Sequence, residues 1–189
     1  MNYFEVFGLE RKLGIDTDGL QRRFYELSRQ HHPDFHATAS PGEQAEALEA
    51  SARLNAAYRT LRDPIGRIDY LIRLEEGRDT REGATVKPQA PPDLLEEMFE
   101  IQEALAEAKA QGLDETARKT LAAQRERLLS RSREEEARLT GPLTAAWDGA
   151  RAEDRPRLLG QLKQGLATRA YLRTVTDDLG QALDEGEES

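Results

Sequence analysis

The three histidines of this chain, His31, His32 and His36, fall within one short segment that also holds Asp34. Imidazoles and a carboxylate this close together are the raw material of a transition-metal site or of acid–base chemistry. The spacing argues against both. His31 and His32 are adjacent, so on a helix they point about 100° apart, and Pro33 breaks the regular register that i, i+4 ligation needs. A metal-dependent hydrolase built here would bind stoichiometric metal and lose it on substitution of His31 or His36. No serine sits in a nucleophile-elbow context, and neither a Walker A loop nor a dinucleotide fingerprint is present. His32-Pro33-Asp34 reads better as a rigid turn between two helices, presenting a donor and an anion at a defined spot. Just before it lie Arg22, Arg23 and Arg29. Arg22 and Arg29 are seven apart and share a helix face, away from the apolar stripe. From the residues alone, two readings stand side by side: a docking surface for an acidic partner, or a solvated helix face followed by an ordinary loop.

The elements that must carry this segment are helical. Leu20, Phe24, Leu27 and His31 recur at helical spacing, with Asp16 or Thr17 as the cap and Pro33 as the stop. Ser40-Pro41-Gly42-Glu43 combines an N-cap, a proline at the first helical position and a capping-box glutamate. That helix runs through Leu48, Ala52, Tyr58 and Leu61 to Asp63-Pro64, which starts a short helix carrying Ile65, Ile68, Leu71 and Ile72. From Glu75 to Pro92 the periodicity fails, and glycines and prolines mark a linker. Helical spacing then resumes. Leu94, Met98, Ile101, Leu105 and Ala108 form a narrow stripe, and Gly112-Leu113-Asp114 breaks it and caps a second long helix to about Leu139. Gly141-Pro142 predicts a break or kink. A last helix runs from near Asp154-Arg155-Pro156 to about Leu183. The expected fold is all-α: an N-terminal helical hairpin with short flanking helices (1–75), a linker (76–92) and a C-terminal antiparallel three-helix bundle (93–184).

Composition narrows the function classes. The chain has 189 residues, 36 acidic and 27 basic side chains, a formal net charge of −9 and no cysteine. Lack of cysteine excludes disulfides, zinc–thiolate sites, thiol catalysis and cysteine-ligated clusters. The acidic balance argues against a general nucleic-acid binder, which needs a basic face to release counterions. No apolar run approaches the roughly 18 residues of a membrane span, and the first residues lack a signal-peptide pattern. A cytoplasmic monomer that binds neither membrane nor nucleic acid is expected.

Four features together resemble a J-domain: Asn2-Tyr3-Phe4-Glu5-Val6-Phe7-Gly8-Leu9, the basic helix, His32-Pro33-Asp34, and Leu61-Arg62-Asp63-Pro64-Ile65-Gly66-Arg67-Ile68-Asp69-Tyr70. Their order and spacing match. Among J-proteins the chain most resembles the HscB type of iron–sulfur co-chaperone, from the aliphatic ending Tyr70-Leu71-Ile72 and the helical C-terminal part. The resemblance is strong over residues 2–74 and looser beyond. A general J-protein serving DnaK with other clients is the alternative. An ordinary member of that group would often carry a Gly/Phe-rich stretch or Cys-x-x-Cys repeats after the J-domain, and this chain has neither.

The resemblance implies that His32, Pro33 and Asp34 stimulate a DnaK/HscA-type ATPase chaperone, with Arg22, Arg23 and Arg29 as electrostatic contacts. Hydrolysis then happens on the partner: no residue here is catalytic, and no cofactor or metal is implied. Phe35 stands where a lysine is common and His31 where an aromatic is frequent. The C-terminal part would bind an IscU-type scaffold. The spacing of its first helix sets Phe99 nearly opposite the Met98/Ile101 stripe and Leu95 at the stripe's edge or beyond. Glu96, Glu100, Glu103 and Glu107 surround Phe99, an apolar pair in a charged rim. Aligning the family's contact pattern on Glu100-Ile101-Gln102-Glu103 assigns the scaffold contact to Leu95, Phe99, Glu100, Glu103 and Glu107. Glu96 stands where methionine is frequent. Tyr171 is the nearest match to an aromatic from the last helix, against an equal reading as a core-edge residue. Trp147 reads as packing.

Overall fold

A computed structural model describes residues 1–30, 40–78, 92–111 and 114–185. The described residues form helices and connecting turns, with no strand among them. The helices are α1 (Tyr3–Val6), α2 (Thr17–Gln30), α3 (Pro41–Arg62), α4 (Pro64–Glu75), α5 (Pro92–Gln111), α6 (Glu115–Arg138), α7 (Thr144–Asp148) and α8 (Arg155–Glu185). The sequence signals for helix starts are realised in their hydrogen bonds. Ser40 and Glu43 form a reciprocal capping box, with Glu43 Oε2 accepting the Ser40 N–H at 2.8 Å. Asp63 caps α4 through the Gly66 N–H at 2.7 Å, and Asp114 caps α6 through the Ala117 N–H at 2.7 Å. Each such cap satisfies helix-end donors that would otherwise lack partners and is worth about 1 kcal/mol.

The chain divides into two compact units. The first comprises Met1–Thr85 with Thr144–Arg155, and the second Val86–Leu143 with Pro156–Ser189. Residues 144–155 lie within the expected 93–184 domain but pack with the first unit.

In the first unit, α2 and α3 form the hairpin, and Phe24 stacks on Tyr58 across it with ring centroids 4.2 Å apart. Leu20, Leu54, Ala57, Leu61, Ile68 and Leu71 are buried. The short α1 is held by its own Asn2/Glu5 capping box. It is tied to α4 by stacking of Tyr3 on Tyr70 at 4.4 Å and by the Tyr3 N–H donating to Tyr70 Oη at 2.8 Å. Trp147, on α7, is 2% exposed, and the Arg155 guanidinium lies 5.4 Å from its ring centroid.

In the second unit, Ile101 and Leu105 of α5, Leu121 and Leu128 of α6, and Leu172, Val175, Leu179 and Ala182 of α8 make one core. Polar contacts fix an antiparallel order. The start of α6 meets the end of α8 where Arg118 donates to the Leu183 carbonyl at 3.2 Å. The end of α6 meets the middle of α8 where Arg169 pairs with Glu136 at 2.8 Å. Arg131 pairs with Glu97 of α5 at 2.9 Å. At the Gly141-Pro142 step, where the sequence predicts a break or kink, the regular α-helix has ended at Arg138. Residues Leu139–Leu143 form a π-helical turn containing Pro142 and lead straight into α7. The wider turn shifts the ladder to i→i+5, which accommodates a residue without an N–H. Leu139 and Leu143 stay buried across it.

Candidate functional site

The expected chaperone-docking residues lie on and just beyond α2. Asp16 caps this helix, accepting the N–H groups of Asp18 at 3.1 Å and Gly19 at 3.0 Å. Arg22, Arg23 and Arg29 are exposed. Arg22 reaches Asp16 at 3.5 Å and Arg23 reaches Glu26 at 3.1 Å. These are surface pairs in high dielectric, worth roughly 0–1 kcal/mol each, so an incoming anion can replace the acid partner at little cost. His31, His32, Pro33, Asp34 and His36 lie outside the described residues.

One residue of this face escapes a reading of the arginines alone. Tyr25 is 56% exposed, although its neighbour Phe24 turns inward onto Tyr58. Helical geometry puts Tyr25 about 60° from Arg22 and beside Arg29. An exposed aromatic flanked by arginines offers an apolar contact inside a cationic surface. The signal for it was the spacing: Tyr25 falls off the Leu20/Phe24/Leu27 stripe.

The second set of residues lies on α5. Leu94, Ile101 and Leu105 are buried. Phe99 is 68% exposed and Leu95 37% exposed, as expected for positions turned away from that stripe. Glu96, Glu100, Glu103 and Glu107 are exposed around them. Glu97, on the inner side, is engaged with Arg131.

Tyr171 is half-buried on α8 and packs against the core that contains Ile101 and Leu105. Its hydroxyl is enclosed with no hydrogen-bond partner among the described residues. Burial, with the Glu97 carboxylate adding to it, raises this phenol above the ordinary tyrosine value. The unfolded chain therefore releases this proton before the folded chain does. Its contribution to stability is full below the unfolded pKa and is lost as pH rises through that value toward the folded one. Tyr171→Phe removes the unpartnered hydroxyl. It is expected to leave stability at neutral pH equal or up to about 1 kcal/mol higher, and to flatten the alkaline limb of a denaturation series. A loss of stability on this substitution would show that the hydroxyl has a partner after all.

Among the described residues no three His, Cys, Asp or Glu side chains cluster as a metal site. A cavity along α6 is lined by Lys119, Thr120, Ala123, Gln124 and Arg127, a set with no carboxylate or imidazole. No described helix is long and apolar enough to cross a membrane. Two faces are thus exposed: one on α2 with Arg22, Tyr25 and Arg29, and one on α5 with Leu95 and Phe99 among glutamates.

Residues 2–70 match the DnaJ domain family model. The matched stretch holds the α2/α3 hairpin with its flanking α1 and most of α4, so it is this first part of the chain that is similar to a J-domain. Over its whole length the chain is similar to the chaperone HscB from Vibrio cholerae, with 24% identity and a TM-score of 0.63, covering 98% of this chain and 99% of that one. It is likewise similar to the human co-chaperone HscB, with 25% identity and a TM-score of 0.62, covering 96% and 81%. The fold of the chain is thus similar from end to end to that of these two HscB structures.

Proposed function

We propose that this protein is a cytoplasmic co-chaperone of iron–sulfur cluster assembly. It binds an IscU-type scaffold through α5, delivers it to a DnaK/HscA-type chaperone, and stimulates that chaperone's ATPase through α2 and His32-Pro33-Asp34. Cluster transfer to acceptor proteins follows. The observation that carries this reading is the end-to-end HscB-type architecture, in which a DnaJ domain is joined to a three-helix bundle. The exposed Phe99 in its acidic rim supports the assignment of the scaffold surface, and the cationic face of α2 supports the chaperone surface.

Catalysis in this scheme belongs to the partner. A J-domain accelerates hydrolysis only by binding the chaperone's hydrolysis-competent state better than its other states. The rim carboxylates steer association and set its salt dependence, while Leu95 and Phe99 supply the apolar anchor. The half-buried Tyr171 lies at the edge of the same bundle and adds its ring to the scaffold contact.

The test is single-turnover ATP hydrolysis by a DnaK/HscA-type chaperone, with this protein alone and with an IscU-type scaffold added. Stimulation that rises synergistically with scaffold is expected. Stimulation indifferent to scaffold would move the protein to general clients, and no stimulation would refute the docking role. Phe99→Ala is expected to weaken scaffold binding by about 1–3 kcal/mol, as for an anchor at an interface centre. Unchanged affinity by calorimetric titration would return Phe99 to the scattered apolar residues of any protein surface.

A further inference from the structure

The turn that leads into α2 is held by a residue from far along the chain. The Asp148 carboxylate, at the end of α7, accepts the backbone N–H of Leu13 through Oδ1 at 2.8 Å and that of Gly14 through Oδ2 at 2.6 Å. From the other side of the same residue, Arg67 donates through Nη1 to the Leu13 carbonyl, and through Nε to the Leu61 carbonyl at 2.7 Å. Leu13 is therefore gripped at both its N–H and its C=O by charged side chains, with its own side chain 2% exposed. Glycine suits position 14, because a Cβ there would stand 3.0 Å from Asp148 Oδ2. Hydrogen bonds from backbone N–H groups to a carboxylate are roughly twice as strong as neutral ones. Only Ile15 separates this grip from Asp16, which caps α2 and pairs with Arg22.

We propose that Asp148 is a positioning residue for the chaperone-docking helix. By fixing Leu13 and Gly14 it sets where α2 begins, and so where Arg22, Tyr25 and Arg29 stand when the chaperone arrives. The proposal rests on the docking role given to α2 above. A docking surface already held in place binds without a further ordering cost. The grip thus acts on how tightly the chaperone is engaged. The stimulating step that follows engagement depends on His32-Pro33-Asp34 and is left as it was.

The test uses the full chain with Asp148→Ala and, as a variant of the same shape, Asp148→Asn. Two quantities are read: backbone amide exchange, and the concentration giving half-maximal ATPase stimulation together with its maximum. For the alanine variant, exchange at Leu13 and Gly14 is expected to quicken about tenfold or more, while Leu61 and Leu71 keep their protection. The half-maximal concentration is expected to rise roughly 3- to 10-fold at an unchanged maximum. The asparagine variant keeps one acceptor oxygen and should fall between the two. Faster exchange at Leu13 and Gly14 with a parental half-maximal concentration would overturn the proposal. So would a uniform loss of protection across the first unit with a reduced maximum in both variants, which would make Asp148 a purely structural residue. Absence of stimulation by the parent chain would instead refute the docking role itself, and this proposal with it.

Discussion

His32→Gln is expected to reduce chaperone stimulation to the unstimulated rate while leaving the fold and scaffold binding intact. The two parts of this expectation rest on different physics. Loss of stimulation follows if the tripeptide makes its contacts only with the hydrolysis-competent state. Removing contacts that distinguish two states abolishes the shift between them, however well the rest of the surface still binds. Retention of fold follows from the local chemistry of the hairpin. Helix α2 is capped by Asp16 and α3 by Ser40 with Glu43, so neither helix draws its start from the tripeptide. The hairpin itself is bridged by the Phe24/Tyr58 stack, and Leu20, Leu54 and Leu61 are buried in the first unit. Single-turnover hydrolysis, thermal unfolding and a scaffold titration on the same variant separate the outcomes. Normal stimulation would refute the docking assignment. A collapsed unfolding transition would move His32 from function to structure.

What could be read in the sequence was what neighbouring residues decide among themselves. The starts of α3, α4 and α6 were legible because a cap is made by side chains within three residues of the N–H groups they satisfy. The exposure of Phe99 was legible because about 100° per residue fixes it opposite Ile101 once the stripe is identified. The J-domain was legible from four local motifs in order. Tyr171 stayed open because its environment depends on the approach of α5 and α6 to α8, which no local pattern reports. At Gly141-Pro142, proline's missing N–H predicts a break or kink without choosing its form, and a π-helical turn meets that constraint while keeping Leu139 and Leu143 buried. The grip of Asp148 on Leu13 and Gly14 was invisible for a simpler reason. Its partners are 134 or more residues apart, and nothing in either segment names the other.

The same long-range packing makes Trp147 the residue whose loss should cost most. Its sequence position belongs to the C-terminal half, yet its 2% exposed side chain and the Arg155 guanidinium over it lie in the first unit. Truncating a buried tryptophan leaves a cavity that packed neighbours fill only in part, at about 3–5 kcal/mol. Against the roughly 5–15 kcal/mol that hold a typical domain together, that is a large share. Trp147→Ala is therefore expected to destabilise residues 1–78 selectively. Amide exchange in mild denaturant should show Ala57, Leu61 and Leu71 losing protection, with Ile101, Leu128 and Leu172 keeping theirs. The parent chain offers an independent check, because Trp147 is its only tryptophan. Its fluorescence should follow the unfolding of the first unit, whichever unit melts first. If instead the bundle core lost protection while residues 1–78 kept theirs, residues 144–155 would belong energetically to the bundle. The boundary at 75 suggested by the sequence would then describe the folding unit better than the packing does. If the first unit weakens, a piece ending at residue 75 lacks a structural member of its own fold.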